Sequence, residues 1–245
     1  YLRGLAYDQY NGRSWSHSRT RLRSLGLVAE GTFFARPPGS LSLPIIRQDI
    51  LLETLDTAVL FAAPFAELVS GEFLSVQADA MSGLHLPSPP SSRLRYSVTS
   101  QVPQLLAEER TATALDYPDA VRSHYLQVPA GLQQIEDLAH HVVQGVATPF
   151  GQTMAIQRHL LDNYRYSLDA DQATLSHPLE EFLFTRKTGY CEHYATAMVV
   201  MLRTLGIPAR LVTGFLATEW NEYGGYFTVR QRDAHAWVEV YFPRS

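Results

Sequence analysis

Hydrophobic and polar residues follow two different patterns along the chain. Up to about residue 128, short segments of alternating apolar and polar residues are separated by clusters of Gly, Pro and Ser. Alternation with a period of two is typical of half-buried β-strands, and it predicts strands at residues 43–52, 73–78 and 93–102. This half is therefore predicted to be a β-sandwich or an irregular β-domain.

Two turn signals fit this interpretation. Asn11 and Gly12 lie between short apolar segments, and the two central positions of a tight hairpin turn favour residues that tolerate a positive φ. Residues 86–92 contain three prolines, which remove backbone donors and fix φ. The first segment predicts a hairpin and the second a surface loop.

A helical period begins after Pro129, where Ile135, Ala139 and Val142 share one face. A second helix is predicted around residues 154–164, and a third, shorter one begins at Pro178. Strand-like runs at residues 209–216, 226–232 and 235–242 follow. The predicted class is α+β, with a β-rich domain at residues 1–128 and a core at 129–245 in which helices precede an antiparallel sheet.

Composition excludes several classes of function. Of the 245 residues, 46% are hydrophobic and 18% charged, which is typical of a folded chain. The net charge of −4 gives no general attraction for nucleic acid. No apolar run approaches the roughly 20 residues that span a bilayer, so a membrane is expected to be reached only through segments outside this chain.

Cys191 is the only cysteine, which excludes an internal disulfide and a cysteine-rich zinc site. Apolar residues follow it at helical spacing until Gly206 and Pro208, so a buried helix is predicted to begin there. The N–H groups and dipole of a helix start favour a thiolate and can hold an oxyanion. Gly189 is expected to let the chain approach a substrate carbonyl. The alternative is a small buried hydrophobic residue, the commoner fate of a cysteine.

The base is predicted on a strand near the C-terminal end of the sequence. Residues 233–242 alternate, so that Ala236 and Val238 form an apolar face while His235 and Trp237 project from the other. A cysteine nucleophile needs a base that is distant in sequence and near in space. We therefore predict that His235 pairs with Cys191, the alternative being an ordinary surface histidine.

The chain resembles the bacterial transglutaminase-like superfamily in four segments: GYCEHYA (189–195), RTLGIPAR (203–210), VTGF (212–215) and HAWVEVY (235–241). It resembles the TgpA type in particular, because YLRG at the N-terminus and YDQYNGRSW (7–15) are similar as well. The resemblance implies a papain-like core. It also implies a periplasmic domain within a multi-pass inner-membrane protein.

The resemblance assigns the role of nucleophile to Cys191 and that of general base to His235. The third member of the family's triad is an aspartate on the strand after the histidine, and none of the ten residues after His235 is aspartate. We expect this residue to lie beyond a truncated C-terminus. Asp233 and Glu239 are poor substitutes, because neighbours on one face of a strand point outward in parallel with His235.

The expected reaction forms a thioester from a glutamine or amide group and passes the acyl group to an amine. Protein or peptide substrates that carry such groups are the expected partners. No cofactor and no metal are expected. Tyr190, Trp220 and Trp237 are candidates for the substrate cleft, and residues 220–225 for a mobile gate over it.

Three alternatives stay open. A cysteine peptidase or amidase of the cell envelope would use the same thioester with water as acceptor. A scaffold without activity would use the fold only for binding. A zinc site of Cys191, His193 and His235 is disfavoured, because residues two apart on a helix point about 200° apart.

Overall fold

The computed structural model describes residues 1–18, 20–35, 43–114, 116–169 and 177–243. The chain forms two compact units, each assembled from segments that are separate in sequence. The first, which we call the β-rich unit, comprises Tyr1–Ala6, Arg19–Gln104 and Thr213–His235. The second, which we call the helical unit, comprises Tyr7–Ser18, Leu105–Val212 and Ala236–Ser245. The division of the sequence between residues 128 and 129 stays a prediction.

Two antiparallel sheets form most of the β-rich unit. The larger has the order β5 (Gly26–Ala29), β6 (Thr32–Phe34), β9 (Ala66–Gly71), β12 (Leu94–Gln101) and β7 (Ile45–Leu52). The smaller has the order β4 (Arg23–Ser24), β10 (Gln77–Ala78), β11 (Leu84–His85) and β8 (Val59–Leu60). The predicted strands correspond to β7, β10 and β12, although β10 is shorter than expected. Residues 86–92 form the predicted loop.

One hydrophobic cluster is shared by the two sheets. Its buried members include Leu60 and Leu84 from the smaller sheet and Val69, Tyr96 and Val98 from the larger. Tyr96 is buried without losing its hydrogen bonds, since its hydroxyl donates to the Phe61 carbonyl and accepts from the Phe61 N–H. The prediction of a β-rich N-terminal region is confirmed.

The helical unit includes the predicted N-terminal hairpin, formed by β2 (Gln9–Tyr10) and β3 (Trp15–Ser16). The prediction of two positive φ angles in its turn is wrong. Gly12 has φ 95°, whereas Asn11 is not among the residues with positive φ. The connection has four residues, and the Asn11 side chain stabilises it by accepting the N–H groups of Arg13 and Ser14.

Six α-helices lie in the described part of the helical unit: α1 (Ala107–Thr111), α2 (Asp119–Tyr125), α3 (Gln133–Val142), α4 (Pro149–Asn163), α5 (Pro178–Glu180) and α6 (Cys191–Thr204). The start of α4 has Pro149 at its first position and the Thr148 hydroxyl accepting the Gly151 N–H. The last α5 turn continues as a π-helical segment, Glu181–Arg186. Across the residues with assigned structure, none of the helices is long and apolar enough to cross a bilayer.

Helix α6 forms the centre of this unit's core. Its Val199, Met201 and Leu202 are fully buried and share a cluster with Ile135 of α3 and Ile156 of α4. The helix ends at Thr204, and the predicted terminator Gly206 follows two residues later with a φ of 77°, which suits glycine. Both the amphipathic pattern and the terminator therefore identified α6 correctly.

Three strands form a sheet with the order β1 (Leu2–Tyr7), β15 (Ala209–Phe215) and β18 (Ala234–Val240). Between the last two, β16 (Glu219–Asn221) and β17 (Tyr226–Thr228) form a hairpin. The predicted run at 226–232 is thus shorter than expected, since a 3₁₀ turn follows at Gln231–Asp233. The remaining two strands, β13 (Arg165–Tyr166) and β14 (Thr188–Gly189), form a parallel pair. The predicted α+β class is confirmed.

Arg203, near the end of α6, is a buried cation that is 3% exposed. Its Nε donates to the Ala209 carbonyl, and its Nη1 donates to the carbonyls of Asp8 and Gln127. The guanidinium also lies 5.3 Å from the Trp15 ring centroid. Burial lowers the pKa of Arg203 to about 10, with Asp8 opposing the shift, so the side chain stays charged at neutral pH.

We expect Arg203→Met to reduce the free energy of unfolding by about 3 kcal/mol, because the carbonyl oxygens of Asp8, Gln127 and Ala209 each lose a hydrogen bond from the guanidinium. Urea denaturation followed by circular dichroism measures this. Arg158→Met, a change of the same kind at an exposed position of α4, should alter stability by less than about 0.5 kcal/mol. Equal midpoints for the two variants would contradict the structural role of Arg203.

Candidate active site

Cys191 is the first residue of α6, as predicted, and its side chain is half-buried. It packs against a small cluster formed by Ala195, Leu211 and Ala236. The first N–H groups of a helix have no partner within it, so they point toward the space beyond the helix start. A thiol at this position lies beside donors that can stabilise negative charge.

The segment before Cys191 is held by local backbone geometry. Lys187 ends the π-helical segment with φ 53°, an uncommon value for a residue other than glycine. The chain then pairs with β13, where the N–H of Arg165 donates to the Lys187 carbonyl at 2.8 Å. The N–H of Ser167 likewise donates to the Gly189 carbonyl at 2.9 Å. The approach to Cys191 is therefore fixed by a two-residue strand pair.

Gly189 is required by the chain's own packing. A Cβ atom there would lie 2.8 Å from the Cβ of His193 and 2.9 Å from a ring carbon of Phe182, closer than real Cβ atoms approach other groups. Sequence reasoning expected the close approach to be made by a substrate carbonyl. The observed neighbours are two side chains of the same unit.

Tyr166, which sequence reasoning missed, lies beside the thiol. It is the second residue of β13, where it lies opposite Gly189 in the parallel pair with β14. Its ring lies 6.0 Å from that of Tyr194, three residues further along α6. Burial, followed by the charge on Cys191, raises the pKa of Tyr166, so the phenol stays protonated at neutral pH.

Tyr190 and His193 are arranged around the start of α6. Tyr190 is the N-cap residue, and its backbone N–H donates to Nδ1 of His193 at 3.3 Å. The two rings meet edge to face with centroids 4.4 Å apart. Burial, and to a lesser degree the charge of Arg186, lowers the pKa of His193. Its Nδ1 therefore acts as an acceptor within the helix start.

His235 is the second residue of β18 and is half-buried. Its ring centroid lies 6.5 Å from that of Tyr1, and burial lowers the pKa of the imidazole. The next residue, Ala236, is a member of the cluster against which Cys191 packs. The pairing of His235 with Cys191 stays a prediction.

The two carboxylates nearest to His235 in sequence have other partners. Glu239 forms an ion pair with Arg210, with its Oε2 2.6 Å from Nη2 and 2.7 Å from Nε. Asp233 accepts the N–H of Arg230 at 2.7 Å and closes the 3₁₀ turn. The expectation that neither residue orients the imidazole stays a prediction.

The predicted cleft residues differ in exposure. Tyr190 and Trp237 are half-buried in the helical unit, whereas Trp220 is 51% exposed in the β-rich unit. Trp220 belongs to the β16–β17 hairpin, where it packs edge to face on Phe227 with centroids 4.9 Å apart. Residues 222–225 form the loop of this hairpin, so four of the six residues of the predicted gate lie in the loop and the other two in a paired strand. That these three residues line a substrate cleft stays a prediction.

The described residues contain no cluster of three or more His, Cys, Asp or Glu side chains arranged to hold a metal ion. The alternative zinc site at Cys191 required His193 as a ligand. In the structure, Nδ1 of His193 is already used by the Tyr190 N–H.

Comparison with known proteins assigns both parts of the sequence. Residues 136–245 match the model of the Transglutaminase-like superfamily, and residues 1–107 match that of the TgpA N-terminal domain. A Protein-glutamine gamma-glutamyltransferase of Pseudomonas aeruginosa is 33% identical over the whole chain, which covers 34% of that relative. The chain thus spans about a third of the length of this curated relative.

Two solved structures are similar over the whole chain, and both are of the periplasmic domain of TgpA from Pseudomonas aeruginosa. The one bound to ethylmercury has 30% identity, a TM-score of 0.74 and 80% of its length covered. The other has 29% identity, a TM-score of 0.75 and 78% of its length covered.

Acidification should destabilise the protein partly through His193. Its pKa is lowered in the folded state, whereas an unfolded histidine titrates near 6.5, so the unfolded chain takes up the proton first. Stability attributable to this residue is present above pH 6.5 and is lost as pH falls toward the folded pKa. Compared with wild type, His193→Gln should lose less stability between pH 8 and pH 5.5 in urea denaturation. An identical pH dependence for both proteins would contradict the assignment.

Proposed function

Since the chain belongs to the transglutaminase-like superfamily, we propose that it transfers acyl groups from glutamine or related carboxamides through a thioester on Cys191. The observation that carries the proposal is the position of this cysteine as the first residue of a buried helix. A helix start supplies both electrostatic support for a thiolate and backbone N–H groups for an oxyanion.

His235 is the proposed general base. Burial lowers the pKa of its imidazole, so the ring is neutral at neutral pH and ready to accept the thiol proton. Support for its proximity comes from Ala236, which follows it directly and shares a cluster with Cys191. In the proposed cycle, His235 takes the proton from Cys191 and later gives it to the departing nitrogen.

The proposed chemistry proceeds in two steps. The thiolate attacks the carboxamide carbon and ammonia leaves, which produces a thioester. A primary amine then attacks the thioester and forms an amide bond, which makes the protein a transferase. Water at the same step would give deamidation or, from a peptide bond, proteolysis. The named activity of the Pseudomonas relative favours transfer of a glutamine-derived acyl group.

We further propose that the chain acts as a periplasmic domain of a longer inner-membrane protein. The two similar solved structures are periplasmic domains, and the chain covers only 34% of the curated relative. Its substrates would then be proteins or peptides of the cell envelope that carry glutamine and amine groups.

We expect Cys191→Ala and His235→Asn to lower amine incorporation at least about 10³-fold, because nucleophile and base act as one unit. The measurement is incorporation of a labelled primary amine into a glutamine-containing protein, with ammonia release in the absence of amine as the readout of hydrolysis. The assay should use this chain and a longer version that continues past residue 245, because the family's aspartate is expected there.

His140→Asn is the matched control, since His140 is exposed on α3 and should leave the rate unchanged. Amine incorporation by Cys191→Ala at the wild-type rate would exclude Cys191 as the nucleophile. Ammonia release without amine transfer would instead identify an amidase. If neither this chain nor the longer version incorporated amine or released ammonia, the result would favour a binding scaffold without activity.

The pH profile gives a separate test of His235. Because burial lowers its pKa, the neutral base should persist to more acidic pH than an ordinary histidine allows. The acid limb of kcat/KM is therefore expected below pH 6.5. An acid limb above pH 7 would argue against a buried neutral imidazole as the base.

A further inference from the structure

Strand β7 forms one edge of the larger sheet, where it pairs only with β12 among the described strands. All eight of its residues pair with β12 without a shift in register. The opposite edge, β5, has four residues, and its pairing with β6 is interrupted by a register shift. Short or irregular edge strands resist pairing with a further strand, whereas a long and regular edge offers a row of backbone groups for it. The edge suited to such pairing is therefore that of β7.

The side chains of β7 alternate between the core and the solvent. Ile50 and Leu52 pack against the buried cluster shared by the two sheets, so the even-numbered residues point inward. The odd-numbered residues form the outward face, and they are exposed. In chain order, this face carries Ile45, Arg47, Asp49 and Leu51. It therefore presents two opposite charges flanked by two apolar side chains.

The backbone groups on the free side of β7 belong to the same odd-numbered residues. The Val102 N–H donates to the Pro44 carbonyl at 2.8 Å, so the carbonyl of Pro44 faces β12. Because this direction alternates along an antiparallel strand, the even-numbered residues of β7 face β12 as well. The N–H and C=O groups of the odd-numbered residues, from Ile45 to Leu51, therefore point away from β12.

We propose that β7 is a dimerisation strand, which pairs antiparallel with β7 of a second copy of this chain about a two-fold axis at Gln48. In this register Ile45 lies opposite Leu51 of the second copy, and Arg47 lies opposite its Asp49. The outward face is thus complementary to itself in both charge and hydrophobicity. The opposed residues are those whose backbone groups are free, so each pair can exchange both N–H···O bonds.

The same charges disfavour the neighbouring registers. A shift by two residues in one direction would place Arg47 opposite Arg47 of the second copy, and a shift in the other direction would place Asp49 opposite Asp49. Like charges directly opposite each other destabilise a strand pair. A shift by one residue would pair odd-numbered with even-numbered residues, whose backbone groups already face β12. The register centred on Gln48 avoids both problems.

A different role for the two charges would have the opposite effect. Charged side chains on an edge strand often protect it from pairing with other chains. Within one copy, Arg47 and Asp49 lie 3.5 Å apart, and Asp49 also accepts the hydroxyl of Ser97 on β12. Their side chains nevertheless stay 69% and 70% exposed, so both can contact a second strand. Protective charges would keep the chain monomeric, whereas complementary charges favour a dimer.

The first test measures association by sedimentation velocity. This chain should show monomer and dimer, and no larger species, between about 1 and 100 µM. Arg47→Glu and Asp49→Arg each place like charges opposite one another, so each should raise the dimer Kd at least about tenfold. An equimolar mixture of the two variants should restore the dimer, because an acidic β7 then faces a basic one.

Arg158→Glu is the matched control for this test, since it makes the same charge change at an exposed position of α4. It should leave the Kd within about twofold of wild type, because an exposed charge away from the interface is screened by salt. Circular dichroism spectra equal to that of wild type show that the variants are folded.

The second test fixes the register by disulfide formation in a Cys191→Ala background, which removes the only native thiol. Residues opposite each other in a hydrogen-bonded pair have Cα atoms about 5.5 Å apart, a distance that a disulfide spans. A mixture of Ile45→Cys and Leu51→Cys proteins should therefore form a cross-linked dimer at least about tenfold faster than either protein alone.

Each result supports or overturns the dimer independently of the proposed acyl transfer, since no readout depends on activity. A wild-type chain that stays monomeric throughout the concentration range overturns it. Dimers with an unchanged Kd in both charge variants would use another surface. Species that grow beyond the dimer would indicate open-ended edge association, which also contradicts the two-fold pairing. Cross-linking of Ile45→Cys alone as fast as that of the mixture would exclude the proposed register.

Discussion

The arrangement of the helical unit depends on one buried positive charge. Arg203 donates hydrogen bonds to carbonyl groups of Asp8, Gln127 and Ala209, which are far apart in sequence. Its Nη2 has no hydrogen-bond acceptor among the described residues, so carbonyl dipoles, the Trp15 ring and the nearby charge of Asp8 stabilise the guanidinium. The indole N–H of Trp15 in turn donates to Thr196 at the middle of α6. Cys191 therefore begins an element whose middle and end are both anchored.

The sequence predicted those features that depend on local periodicity and on local backbone preference. Helix α6 was recognised because apolar residues recur every turn and Gly206 supplies a left-handed terminator. The strand that carries His235 was recognised from its alternation of small apolar and larger polar residues. The family was recognised because several such segments occur together with characteristic residues around Cys191 and His235.

Such patterns do not reveal contacts between segments that are distant in sequence. Tyr166 lies in a two-residue strand, too short for any period to reveal, and its place opposite Gly189 is a matter of tertiary pairing. In the sequence, Glu239 is an ordinary polar residue on a strand face. Only the structure shows that it forms an ion pair with Arg210 of the neighbouring strand. The turn at Asn11 was misjudged because asparagine stabilises turns in two ways, by accepting a positive φ and by side-chain hydrogen bonds.

Crowding around Gly189 affects how tolerance to mutation should be interpreted in this protein. A library that replaced every residue and selected for catalysis would retain glycine at 189 almost as strictly as cysteine at 191, since any side chain collides with His193 and Phe182. One position would be invariant for lack of space and, under the proposed function, the other for its reactivity. Intolerance to replacement along this segment therefore does not by itself distinguish a chemical group from the scaffold that holds it.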